Sequence, residues 1–209
     1  MMKNVNIFLK SFRDDERGSM AIELLLVVPI LLWVFLSCFV YFDVYRVETN
    51  SVRATITLAE MFSREDTVNS NYLDNTRSVL RDITYEEADP DYRVTVFTFS
   101  EGVPSDPNDD AYIVVWSDHR GYDGPITTAD LATLDGLGRL PAMNPFAQNV
   151  YIETRTEYDA PFNIGIGPFT AIDLEDLTFT QDMLIAPRGG RLCYDPTPGT
   201  DGDEVCAPS

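Results

Sequence analysis

The sequence predicts an α+β protein: one N-terminal transmembrane helix that continues into an amphipathic stalk helix, followed by a mostly antiparallel β domain. Three observations predict it. Residues 24–42, LLLVVPILLWVFLSCFVYF, run for 19 residues without a charge. Beyond them, apolar residues recur at steps of three and four. From residue 92 onward the apolar period falls to two, in segments rich in β-branched and aromatic side chains. The expected organisation is a cytoplasmic leader at 1–18, a transmembrane helix at 19–42, a stalk helix at 43–66 and an extracytoplasmic α+β domain at 67–209.

The helix comes first. Nineteen helical residues rise about 28 Å, close to the thickness of a hydrocarbon core. Tyr41, Phe42 and Tyr45 gather at the far end of the run, where aromatic rings suit the membrane–water interface. Lys3, Lys10, Arg13 and Arg17 precede it, and the first base after it is Arg46. This asymmetry places the N-terminus in the cytoplasm and the bulk of the chain outside. A cleaved secretory signal would be shorter and would end at small residues, whereas this run ends in Phe-Val-Tyr-Phe-Asp.

Charge narrows the partners. The chain of 209 residues carries 34 acidic and 15 basic residues, a formal net charge of −19. Such a chain repels phosphate backbones, which argues against nucleic-acid binding.

Beyond the membrane, Val44, Val47, Ser51, Ala54, Thr55, Leu58, Met61 and Phe62 form one stripe of the stalk, opposite Asp43, Glu48, Arg53 and Glu60. A break is expected at 69–71 and a second helix at 73–83, with Leu73, Val79, Leu80 and Ile83 as its apolar positions. Strands are expected at 92–99, 111–116, 149–157 and 177–185. The third alternates as a half-exposed antiparallel strand should. Gly121, Gly124, Pro125, Gly136, Gly138, Pro141 and Pro145 mark linkers between strands.

Chemical signatures are few. His119 is the only histidine, so a site with two histidine ligands is excluded. Asp118 stands beside it, but no G-x-S-x-G nucleophile motif accompanies the pair. Gly165 and Gly167 lack the third glycine of a dinucleotide loop. No enzymatic activity, metal or cofactor is expected. The acidic loop at 104–110 reads as a solvated turn. Cys38 reads as an apolar helix residue, whereas Cys193 and Cys206, outside the membrane, are expected to pair in an oxidising compartment. Asp195, Asp201, Asp203 and Glu204 between them read as a plain acidic loop rather than a calcium site.

The junction at 17–29, RGSMAIELLLVVP, is the most informative stretch. A charged leader stops at Gly18, an apolar helix follows, and Glu23 is the lone carboxylate at its head. An ionisable group at membrane depth costs about 2.5 kcal/mol or more, and it marks function unless the group sits at headgroup level. Arg17-Gly18 followed by Glu23 resembles the processing site of type IV pilin-like proteins. The run Ala21-Ile22-Glu23-Leu24, with Pro29 beyond, is similar to the TadE-like minor pseudopilins of the tight-adherence (Flp) pilus system. Leu24 departs from the aromatic residue that follows the glutamate in many pilins.

The resemblance implies a pilin-like overall architecture, cleavage between Gly18 and Ser19 by a prepilin peptidase, and assembly roles for Glu23 and Pro29. It also implies residence in the inner membrane, and partnership with other pilus subunits and assembly proteins. The freed amine of Ser19 would pair with Glu23 of a neighbouring helix, offsetting the desolvation of both. Pro29 removes the amide that would bond the Leu25 carbonyl. The C-terminal loop closed by Cys193 and Cys206 resembles the disulfide-bounded region of many pilins. Two rival readings remain: an uncleaved bitopic envelope protein with a periplasmic protein-binding domain, and an envelope hydrolase using His119.

Overall fold

The structure, a computed structural model, describes residues 19–84, 89–101, 111–158, 160, 177–197 and 204–206. Helix α1 (Ser19–Arg64) is followed by β1 (Thr67–Asn69), α2 (Ser70–Thr84), β2 (Asp91–Ser100), β3 (Ala111–Arg120), α3 (Thr128–Gly136), β4 (Gln148–Tyr158), β5 (Leu177–Ile185) and β6 (Cys193–Asp195). The fold is α+β. The chain divides into two compact units, Met1–Val44 with Ala160–Asp173, and Tyr45–Asp159 with Leu174–Ser209.

In the first unit the described helix passes through Pro29 without interruption. Apolar side chains are open on all its faces, Leu25, Ile30, Leu31 and Phe35 being more than 60% exposed, while Val40 is buried. A helix apolar all round is stable only where its surroundings are apolar too. This helix is long and apolar enough to cross a membrane.

In the second unit, β2, β3, β4 and β5 form an antiparallel sheet in the order β3-β2-β4-β5. All four predicted strands are present, each within one residue at its start; β3 runs four residues further than predicted. Strand alternation gives the sheet two faces. One face carries Tyr92, Val94, Val96, Trp116, Val150 and Ile152, and it packs with Ala54, Leu58, Ala59 and Phe62 of α1 and Leu73 and Leu80 of α2 in a single core. The stalk stripe was therefore correctly placed, including its two hydroxyl residues. Thr55 Oγ1 lies 2.6 Å from Thr154 Oγ1 and Ser51 Oγ lies 3.2 Å from Thr156 Oγ1. Two helix hydroxyls thus meet two strand hydroxyls inside the interface, where an unpaired one would cost about 1–3 kcal/mol.

The other face carries Phe97 and Tyr151, which pack with Ile126 and with Leu131 of α3. Strand β4 alternates as expected, its even-numbered residues buried and its odd-numbered ones more open, except that Tyr151 is covered by the segment after β3. Here the structure differs from the sequence reading. Helix α3 occupies part of a stretch that its glycines and prolines mark as linker. Its start is a capping box: Thr127 accepts from the Asp130 amide, and the Asp130 carboxylate accepts from the Thr127 amide. Those hydrogen bonds hold the Asp130 carboxyl below its ordinary range. The register between β2 and β3 slips at Val96/Phe97, leaving Val115 as the extra residue of a bulge.

The expected break at 69–71 lies earlier. Helix α1 ends at Arg64, β1 follows, and α2 already begins at Ser70, capped by the Asn69 side chain accepting from the Tyr72 amide at 2.9 Å. Strand β1 pairs in parallel with β6, an arrangement for which the sequence reading had no strand at either position.

Candidate functional site

The junction residues divide between what is described and what is not. Gly18 lies outside the described residues, and Ser19 is the first residue of the described helix. Glu23 is exposed, one turn into α1, and from Ser19 to Phe42 it is the only charged residue. Pro29 lies within the helix. Glu23 stands just past the first turn of the described helix, which holds no acidic residue. Pro29 falls a further six residues on, still inside the apolar run.

Cys193 and Cys206 form the expected disulfide. Cys193 sits in β6, is buried, and its amide donates to the Asp66 carbonyl at 2.9 Å. Tyr194 and Val205 exchange backbone hydrogen bonds of 3.0 and 2.8 Å across the closed loop. The same segment reaches the end of α1: the Arg188 amide donates to the Ser63 carbonyl at 2.7 Å, and the Arg188 guanidinium meets Glu60 at 2.6 Å. Helix ends leave carbonyls without partners, and this segment supplies one of them. Trp116 ties the other side, its indole N–H donating to the Leu192 carbonyl at 3.0 Å while its ring lies against Tyr194.

Glu204 stands close enough to both cysteine sulfurs to suggest a metal cluster. The sulfurs are bonded to each other, so neither is the thiolate that binds metal. Asp195 accepts from the Thr197 amide at 2.9 Å, the local turn of an acidic loop. Asp201 and Asp203, the acidic loop at 104–110 and Gly165 with Gly167 lie outside the described residues.

Both carboxylate oxygens of Asp118 are engaged. One Asp118 oxygen accepts from the His119 backbone amide at 2.8 Å and from Arg120 at 3.1 Å, and the other accepts from the Tyr194 hydroxyl at 3.1 Å. The His119 Nδ1 is buried and has no hydrogen-bond partner among the described residues. Among the described residues no carboxylate orients the imidazole through Nδ1. Arg120 is instead a structural hub. It holds Asp74 at 2.5 Å, Asp118, and both the carbonyl and the hydroxyl of Ser70, fastening the first turn of α2 to β3.

Sequence reading passed over a second polar cluster, on the sheet face beneath the segment after β3. Arg93 meets Glu153 at 2.6 Å, and Arg155 meets Asp91 at 2.5 Å. The Tyr122 ring lies against both guanidinium groups, 4.7 Å from Arg93 and 4.9 Å from Arg155. Gly121, which turns the chain at φ +82, has no room for a side chain because a Cβ would strike the Asp91 carboxylate. Alternating charges on one strand (Glu153, Arg155) opposite Arg93 and Asp91 were the available signal, since opposite charges paired across strands favour a register.

Burial, reinforced by the Glu153 carboxylate, pushes the Tyr122 phenol up to about 12. Burial and then Glu65 push Tyr72 to about 12. An unfolded tyrosine titrates near 10. The folded state holds these protons more tightly, so the associated stability is complete below about pH 10 and is lost as pH rises through 12. Alkaline unfolding is therefore expected within that window. Phenolate absorbance followed together with circular dichroism will show the buried tyrosines ionising with loss of structure. Their ionisation near pH 10 in an intact fold would contradict the packing.

These features define a class: an α+β chain whose N-terminal helix is open and apolar, joined to a sheet domain that a C-terminal disulfide closes. No protein-family profile matches the chain, and neither a curated protein nor a solved structure does.

Proposed function

We propose that this chain is a TadE-like minor pseudopilin, a subunit anchored in the inner membrane that primes or supports a tight-adherence pilus. One observation carries the reading: a lone exposed carboxylate, Glu23, on a helix otherwise uncharged from Ser19 to Phe42, five residues after Gly18. In this reading the leader 1–18 is cytoplasmic and is removed by a prepilin peptidase. The helix spans the membrane once, and the sheet domain lies on the periplasmic or extracellular side. Buried in lipid, Glu23 is costly alone and stabilised by a neighbour's freed amine, so assembly favours helices that bring the two together. The disulfide supports the same placement, because such bonds persist in oxidising compartments.

Mass spectrometry of the N-terminus from cells containing the peptidase is the direct test. The mature chain is expected to begin at Ser19. Gly18→Ala is expected to leave the leader in place and to abolish pilus assembly. An intact leader on the unsubstituted chain in such cells would refute the processing claim. An uncleaved envelope protein would be indifferent to Gly18→Ala.

A further inference from the structure

The stalk carries two stripes, and the sheet covers only one. Tyr45, Val52 and Ile56 remain 62%, 38% and 43% exposed on α1 within the second unit. Thr49 lies between them, its hydroxyl donated to the Tyr45 carbonyl at 2.8 Å, so that only its methyl is left for a neighbour. The steps from 45 to 49, 52 and 56 are four, three and four, the rhythm of the apolar seam of a coiled coil, with Thr49 and Ile56 at a and Tyr45 and Val52 at d. On this assignment Glu48 falls at g and Arg53 at the following e. Both are exposed, and neither enters an ion pair among the described residues.

We infer that this second stripe is a homotypic interface, on which a second copy of the chain packs its own Tyr45–Ile56 segment in parallel and in register. Charge selects the occupant and its direction. In a parallel pair, Glu48 of each helix stands beside Arg53 of the other, giving two attractive pairs. In an antiparallel pair, Glu48 would face Glu48 and Arg53 would face Arg53, which repels. The surface is therefore complementary to itself in one orientation, the one two copies anchored in a single membrane already share. Beyond the membrane a bare apolar seam in water is also unfavourable, and pairing covers it. The inference shares the membrane anchorage with the proposed function but does not require removal of the leader.

Cysteine cross-linking of the full chain in native membranes tests it, in a Cys38→Ser background with Cys193 and Cys206 left paired. Val52→Cys and Ile56→Cys are expected to give about five-fold more disulfide-linked homodimer than the exposed off-seam variant Thr57→Cys. Glu48→Arg added to Val52→Cys is expected to cut that yield several-fold, and Arg53→Glu added to both is expected to restore it. Equal yields at 52 and 57, a product with the mass of a different protein, or failure of the double reversal to restore the yield would each overturn the pairing. Alkaline carbonate washing separates the two readings. Extraction of the chain would defeat the membrane anchorage, while the position dependence of the cross-links would still decide the pairing.

Discussion

Phe62→Ala is expected to destabilise the sheet domain by about 3–5 kcal/mol. Phe62 is fully buried in the core that joins α1 to the sheet, and its ring meets the Tyr72 ring edge-on at 5.5 Å. Three costs add. The lost ring forfeits its transfer free energy, the vacated space is a cavity, and the edge-to-face contact disappears. Relaxation is limited because the position is held from both sides. Leu58 and Ala59 precede it on the same stripe, and the next residue, Ser63, has its carbonyl bonded to the Arg188 amide. Chemical denaturation of the full chain in detergent, followed by near-ultraviolet circular dichroism, measures the effect. Phe62→Leu, which retains most of the volume, is expected to lose less than half as much. A loss below about 1 kcal/mol for Phe62→Ala would mean that the helix end does not pack as described.

The second large effect is that of the disulfide. Replacing Cys193 and Cys206 together by Ala is expected to cost about 3 kcal/mol, the chain-entropy value for a closed loop of this length. The sequence separation is 13. The bond has local consequences too, because the backbone exchange between Tyr194 and Val205 is made across the loop it closes. Without it, the segment around 205 leaves β6 readily, while β6 keeps its parallel pairing to β1 and the Cys193 amide its bond to the Asp66 carbonyl. The measurement is a pair of urea titrations, with and without reductant, on the unsubstituted chain and on the double variant. Reductant is expected to lower the midpoint of the first and leave the second unmoved. An unchanged midpoint in the unsubstituted chain would show that the bond adds nothing. Cys38 lies exposed on the apolar helix and takes no part.

Proteins of this plan are partly legible before folding. The helix from the apolar run to Arg64 could be read because apolarity on all faces gives way to apolarity on one face, each a local repeat in the sequence. The stripe holding Ser51 and Thr55 was legible for the same reason, although nothing in the sequence said that Thr154 and Thr156 would meet their hydroxyls. The four long strands were legible from their period of two and their aromatic and β-branched content. Helix α3 was legible in principle, since Thr127 and Asp130 have the spacing of a capping box. The surrounding glycines and prolines suggested a linker instead.

By itself the sequence determined the anchor-like helix, the stalk stripe that meets the sheet, the four strands and the pairing of Cys193 with Cys206. Each depends on a local repeat, or on the chemistry of two residues of one kind. Only the tertiary structure decided that β1 and β6 pair in parallel, that Arg120 fastens α2 to β3, and that Tyr122 lies against Arg93 and Arg155. Three-residue strands are too short to carry a period. A guanidinium takes its partners from whatever carboxylates the closed fold brings within about 3 Å. Such contacts join segments far apart in the chain, and local sequence holds no record of which distant segment will arrive.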